Sequence, residues 1–168
     1  MTVLDPNFAG EVYSYDDLIE ASLREPIQAF DLIKTVVPSW DNDARKQGSG
    51  LCFHGSTPAK FQSWIERLAT SPSTRSFHGE RLLFVNAWNE WCEGAYVEPD
   101  VHYGYAYLNA LSRGLDAEAG GLRRKIVLVG HDAFPAGAQM LLYSIGCVLR
   151  YGFGAQISFI LMGGGGLE

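Results

Sequence analysis

Several features are missing from this chain, and each absence excludes a class of protein. It has no run of roughly 18 uncharged apolar residues and no basic segment leading into an apolar one at its amino terminus. The sequence therefore predicts neither a membrane-spanning helix nor a secretory leader. Basic residues are in deficit, with 13 Lys and Arg against 19 Asp and Glu, and they form no stripe. A net charge of -6 of that kind argues against a protein that holds the phosphate backbone of nucleic acid. Cysteine is scarce. Cys52, Cys92 and Cys147 are widely spaced and odd in number, which suits reduced thiols in a cytoplasmic setting better than a disulfide framework or a zinc ribbon. The four histidines, His54, His78, His102 and His131, show no close ligand spacing, so no metal and no cofactor is expected. With 47% hydrophobic and 19% charged residues, the chain still has ample material for a globular core.

Strands and helices alternate along the chain. Ser14 can cap a helix over 14–23, residues 30–37 read as a strand ended by Pro38, and a loop follows over 40–45. The Gly-rich stretch 47–55 reads as irregular. Ser56 or Thr57, with Pro58 in the first turn, opens a helix reaching residue 69. Phe61, Trp64, Ile65 and Leu68 follow i, i+3, i+4, i+7 on that helix and are expected in the core. A turn-rich loop over 71–79 precedes a strand over 81–88, and a helix is expected over 103–111, where Tyr103 and Tyr107, spaced i, i+4, would pack against the sheet. This order implies parallel α/β construction. Residues 1–115 hold about three such units where a closed eight-unit barrel takes roughly 250 residues, so the expected architecture is a partial (β/α) barrel. Residues 116–122 read as a small-residue linker. Beyond it, 123–168 read as an incomplete Rossmann-like βαβ unit with strands over 126–129 and 156–162, a helix over 138–150, and a glycine run over 163–166 that reads as a linker or loop.

The most informative stretch is 86–100. It gathers Glu90, Glu93 and Glu98 with Trp88 and Trp91 just past the carboxyl end of the strand over 81–88, and Gly94 and Pro99 break the pattern. In (β/α) barrels that edge carries the chemistry. Paired carboxylates are the minimum apparatus for glycosidic chemistry, one protonated as acid and one ionised. Flanking indoles suit the apolar face of a sugar ring and supply desolvation.

Asn89-Glu-Trp-Cys-Glu-Gly94, followed by Val97-Glu-Pro, Tyr103-Gly and Tyr107-Leu, resembles the signature of the WbsX-type, glycoside hydrolase family 99-like domain. Upstream, Val37-Pro-Ser-Trp-Asp-Asn-Asp-Ala-Arg45 resembles that family's Pro-x-Trp-Asp-Asn-x-x-Arg stretch, and Phe8-Ala-Gly with Tyr13-Ser-Tyr15 resembles the segment before it. The matches span residues near 5 to 114 in the family's order. The resemblance implies a (β/α) barrel with Glu90 and Glu93 as the catalytic pair. The first would draw the proton from a sugar 2-hydroxyl to give an anhydro-sugar intermediate. The second would protonate the leaving oxygen and later activate water. Two departures stand out: Cys92 occupies a position where the hydrolases commonly have His, and Ala95-Tyr96 replaces a Thr-containing stretch. The second unit resembles the start of a family 4-type GT-B glycosyltransferase, through His131-Asp132 and then Gly137-Ala138 at a helix start. That resemblance implies an acceptor or phosphate approach at Gly137 and Ala138, with the nucleotide-sugar site in a lobe that only a longer parent would hold.

The residues around the pair admit more than one role. Asp41-Asn-Asp43 fits a metal-binding Asp-x-Asp run, a set of donors to sugar hydroxyls, or a turn held by its own side chains. Arg45 could orient one acid by a bidentate contact. Trp40, Asp41, Asn42, Asn89 and Trp91 are candidates to line a sugar site, and Glu98 either belongs to that site or closes a turn. His131-Asp132 reads as a strand-end loop ahead of a catalytic dyad. The function expected is glycosyl transfer in surface polysaccharide biosynthesis of the O-antigen type, acting on an oligosaccharide or polysaccharide. An endo-acting α-mannosidase-like hydrolase, a non-catalytic glycan-binding module and an inert fragment are the alternatives.

Overall fold

The computed structural model describes residues 6–71, 76–77, 80–116, 125–130, 137–153 and 156–161. The chain divides into two compact units, Met1–Glu118 and Ala119–Glu168.

In the first unit, strand β1 (Glu11–Ser14) runs directly into helix α1 (Tyr15–Arg24), where the Ser14 side chain accepts a hydrogen bond from the Asp17 N–H and caps the helix. Strand β2 (Lys34–Val36) follows, then the single helical turn α2 (Asp43–Lys46) and strand β3 (Leu51–His54). Helix α3 (Pro58–Thr70) starts on the Thr57 cap with Pro58 in its first turn. A short antiparallel pair, β4 (Ser76–Phe77) with β5 (Glu80–Arg81), precedes strand β6 (Leu83–Val85). The hairpin strands β7 (Asn89–Glu90) and β8 (Ala95–Tyr96) and helix α4 (Ala106–Asp116) complete the unit.

Two parallel strand pairs organise it. β1 lies beside β3 with Glu11 opposite Leu51 and Ser14 opposite His54, while β2 lies beside β6 with Lys34 opposite Leu83 and Val36 opposite Val85. The stretch expected to be irregular, 47–55, thus contains a strand, and β1 is a second strand that residue patterning did not mark. Each is only four residues long, at the lower limit of the length over which alternation is readable. The glycines there serve a close approach of backbones: a side chain on Gly10 would sit 2.1 Å from the Gly50 carbonyl oxygen, which accepts the Glu11 N–H at 2.8 Å.

The stripe foreseen on α3 is the core: Phe61, Trp64, Ile65 and Leu68 are buried against Tyr15 and Ile19 of α1, Val36 of β2, and Tyr107 and Ala110 of α4. Fully burying such side chains contributes about 1.5–3 kcal/mol each. The buried hydroxyls find partners, whereas the indole N–H groups of Trp64 and Trp88 are buried without one. The Tyr15 hydroxyl donates to the Val37 carbonyl at 2.6 Å, its ring meets Trp64 edge-on at 5.9 Å, and burial drives its pKa far above the usual tyrosine value. Ser56 hydrogen-bonds the Pro38 carbonyl and the Tyr107 hydroxyl, and burial pushes Tyr107 up to about 12. These bonds fix the carboxyl end of β2, from which the segment carrying Trp40 to Arg45 departs. Helix α4 starts later than expected. Tyr103 precedes it, so its T-shaped contact with Tyr107, at 5.1 Å, is made across the helix start and not along one helical face.

In the second unit, strand β9 (Lys125–Gly130), helix α5 (Gly137–Phe153) and strand β10 (Gln156–Leu161) form a parallel βαβ arrangement with Lys125 opposite Gln156. Gly137 and Ala138 open α5. His131, Asp132 and the run 163–166 lie outside the described residues, as does most of the expected linker. Among the described residues no helix is long and apolar enough to cross a membrane.

Candidate functional site

Past β6, the Asn86 N–H donates to the Val36 carbonyl at 2.9 Å and prolongs the β2–β6 ladder. The chain then folds into a tight hairpin. β7 and β8 pair antiparallel, Asn89 opposite Tyr96 and Glu90 opposite Ala95, around one 3₁₀ turn, Trp91–Glu93. The Trp88 carbonyl accepts the N–H groups of both Val97 and Glu98 at 3.0 Å. Gly94 closes the turn in the left-handed region, φ 59°, where glycine is favoured. Residues three apart stack on one side of a 3₁₀ turn, which gives the i, i+3 spacing of Glu90 and Glu93 a structural meaning.

The facing segment, 39–50, is folded by its own acidic and amide side chains. One Asp43 carboxylate oxygen accepts the N–H groups of Gly48 and Gly50 at 2.8 and 3.1 Å, the Asn42 side-chain oxygen accepts the Leu51 N–H at 2.8 Å, and an Asp41 oxygen accepts the Asp43 N–H at 3.0 Å. These bonds are those of a self-stabilised turn. Among the described residues, no three His, Cys, Asp or Glu side chains are grouped to hold a metal ion. Two bonds dock the turn on the hairpin: the Asp41 N–H donates to the Glu93 carbonyl at 2.8 Å, and the Ser39 hydroxyl donates to the Gly94 carbonyl. Cys52, paired across from Asp41, has its thiol pushed up to about 11 by burial and by a hydrogen bond with that carboxylate.

This docking brings Arg45 to both glutamates. Its Nη2 lies 2.9 Å from Glu90 Oε1 and its Nη1 lies 3.3 Å from Glu93 Oε1. The guanidinium divides its fork between two acids, a bridge in place of the bidentate clamp on one acid. A hydrogen bond with the Cys92 sulfur, followed by the charges of Glu90 and Glu93, holds Arg45 above its ordinary pKa. The side chains are open to solvent, 51% for Arg45, 41% for Glu90 and 23% for Glu93, so water screens each ion pair and it contributes little to stability. The bridge therefore matters chiefly as geometry: it fixes two carboxylates and one permanent cation at an accessible surface.

Trp91 lies between the two acids in sequence, and its indole N–H donates to Glu98 Oε2 at 2.7 Å. Its ring stacks on Tyr96 with centroids 3.8 Å apart and planes 19° from parallel. Of the residues expected from sequence, Arg45, Glu90 and Glu93 are thus joined by side chains, Asp41 joins Glu93 through its backbone, and Trp91 joins Glu98. Trp40 contributes its carbonyl to the Phe53 N–H at 2.8 Å, Asn89 pairs with Tyr96 in the hairpin, and the Asn42 oxygen is engaged locally. Tyr96, Cys92 and Ser39 were not marked as site residues by sequence reasoning. Only the spacing of Tyr96 and Trp91 about Gly94 could have signalled a hairpin contact. A cleft of about 630 Å³ beside α1, lined by residues including Leu18, Ser22, Leu32 and Lys34, takes in none of the candidate residues.

The sequence profile of the family described as "Glycosyltransferase WbsX" matches residues 2–111. Two curated relatives, each called "Uncharacterized protein WxcX" and coming from two strains of Xanthomonas campestris pv. campestris, are 36% identical over 118 residues. The aligned part covers 67% of this chain, and the chain spans only 16% of the length of those relatives. No solved structure matches the chain.

Proposed function

Because the chain belongs to the WbsX glycosyltransferase family, we propose that it forms part of a carbohydrate-active enzyme of O-antigen-type surface polysaccharide biosynthesis, with Glu90 and Glu93 as the catalytic pair. The observation that supports this most is the Arg45 bridge, in which a residue 45 positions from Glu90 and 48 from Glu93 in sequence reaches both acids. A turn that existed only to cap itself would not need that contact.

In this reading the two carboxylates divide acid and base work on a glycosidic bond, and Arg45 holds them on one side of the hairpin turn. Substrate that displaces the guanidinium from the pair lets Glu90 take the proton of a sugar hydroxyl and leaves Glu93 to carry the proton that goes to the leaving oxygen. Trp91 supplies an apolar surface beside the pair. The first unit is read as part of a (β/α) barrel related to glycoside hydrolase family 99, and its two parallel strand pairs, with functional loops after β2 and β6, are consistent with that. The parallel βαβ arrangement after it is read as the opening of a GT-B transferase domain whose nucleotide-sugar site belongs to a longer parent. Gly137 and Ala138 would then sit at the helix start that approaches acceptor or phosphate.

The test is product analysis by mass spectrometry, with the chain given a mannose-containing oligosaccharide and an excess of labelled acceptor disaccharide. Extension of the labelled acceptor is the expected outcome. Release of shortened, unlabelled sugar without extension would reassign the chemistry to hydrolysis, and an unchanged oligosaccharide would count against a catalytic pair.

A further inference from the structure

The indole of Trp91 is held on two sides, one face and one edge, by contacts that lie outside the acid pair. One face lies on Tyr96 at 3.8 Å, and the N–H edge is tied to Glu98 at 2.7 Å. The Tyr96 hydroxyl is itself hydrogen-bonded to Asp100, whose carboxylate also accepts the backbone N–H of His102 at 2.7 Å and that of Tyr103. Trp91 nonetheless remains 47% exposed. A ring covered on one face by a near-parallel stack can expose that much only through its opposite face and outer edge. The result is a flat, rigid apolar surface in water, adjoining two carboxylates, at a position where hydrophobic burial alone would have turned the indole inward.

We propose that the free face of Trp91 is a stacking platform for a pyranose ring that presents an unbroken patch of C–H bonds, and that Tyr96 and Glu98 are positioning residues that hold it. This rests on the reading of the hairpin as a sugar site but requires no catalysis there. It gives Glu98 a task besides any contact with a sugar hydroxyl: its Oε2 accepts the indole N–H, and that bond sets the angle of the ring. Pyranoses interrupted by an axial hydroxyl on both faces would be disfavoured, since a hydroxyl pressed on the indole loses its water without gaining a partner. Discrimination among sugars at this position would come from the shape of the C–H face, with the acids reading hydroxyls at the edge.

The experiment uses the 168-residue chain and three probes, the methyl glycosides of β-glucose, β-galactose and α-mannose, read by saturation-transfer NMR. Transfer concentrated on the ring C–H protons of one sugar face is expected for at least one probe. Its affinity should fall roughly tenfold in Trp91→Ala, the loss of one aromatic contact with its buried area. Glu98→Ala and Tyr96→Ala should each weaken binding several-fold, whereas Glu98→Gln, which keeps an acceptor oxygen, and Tyr96→Phe, which keeps the stack, should restore it. The near-ultraviolet circular dichroism of the stacked pair should vanish in Tyr96→Ala and persist in Tyr96→Phe, separating a lost platform from a lost fold. Unchanged affinity in Trp91→Ala, or transfer to none of the three probes, would overturn the platform. Platform binding without any glycosidic product would leave it standing and remove the catalytic reading instead.

Discussion

Substituting alanine for Gly94 should cost more than the same change at Gly104, and the difference measures how tightly the glutamate hairpin is docked. Both glycines sit in the left-handed region, with φ of 59° and 54°, so each alanine pays a backbone strain of about 1–2 kcal/mol. Their surroundings differ. A side chain on Gly104 meets nothing within 4 Å, whereas one on Gly94 lies 3.2 Å from the Asp41 backbone nitrogen and 3.4 Å from its Cβ. That nitrogen donates the hydrogen bond to the Glu93 carbonyl, so the turn and hairpin must part by a few tenths of an ångström. Weakening that bond, and with it the Ser39 bond to Gly94, adds about 1 kcal/mol. Gly104→Ala should therefore lose about 1–2 kcal/mol and Gly94→Ala about 2–3 kcal/mol. Urea unfolding followed by tryptophan fluorescence suits the comparison, because Trp40, Trp64, Trp88 and Trp91 all lie in the first unit. Equal losses at the two positions would show that the hairpin is not held against the 39–50 turn, and the Arg45 bridge would lose its physical basis.

Arg45→Ala should leave stability nearly unchanged, since both ion pairs are exposed, while reducing any glycosidic turnover on the order of a hundredfold; a thermal melt beside a product assay separates the two effects. Arg45→Lys should fail to restore turnover, because one ammonium cannot reproduce a planar fork shared between two carboxylates. Phe61→Ala, at a fully buried position, should destabilise the first unit by about 3–5 kcal/mol in urea unfolding; a loss under about 1 kcal/mol would mean that the α3 stripe is not the core. The Asp100 carboxyl is held below its ordinary value of 3.8, first by the Tyr103 N–H and then by that of His102 and the Tyr96 hydroxyl. A depressed folded pKa contributes stability that is present above the unfolded value and lost as pH falls through the folded one. The near-ultraviolet signal of Trp91 and Tyr96 should thus hold steady down to about pH 4 and decline below it, with Asp100→Asn abolishing that acid step; a midpoint near neutrality would refute the assignment.

Long periodic patterns and capping residues were legible in the sequence, and tertiary contacts between short segments were not. The caps at Ser14 and Thr57, the α3 stripe and the βαβ order of the second unit follow from local rules, and the observed elements lie close to the expected ranges. β1 and β3 escaped notice because each has four residues and gains its identity only from the other. The strand expected over 81–88 contracts to Leu83–Val85 because β2, its partner, is itself three residues long. At the site, residue chemistry singled out Glu90, Glu93, Arg45, Trp91 and Glu98. It could not distinguish a clamp on one acid from a bridge between two, which depends on a side chain arriving from another loop. Nor could it separate the three readings of Asp41-Asn-Asp43, because a backbone N–H that engages an Asp or Asn oxygen leaves no trace in composition. Tyr96 was passed over because its importance lies in the stack with Trp91, five residues earlier across a turn.

The most direct test of the Glu90 and Glu93 pair is isothermal titration of mannose-containing oligosaccharides into the wild-type chain, Glu90→Gln and Glu93→Gln, with product measured in the same samples. The account predicts binding by all three proteins and product from the wild type alone. Product formed equally by either variant, or binding by none of the three, would contradict it.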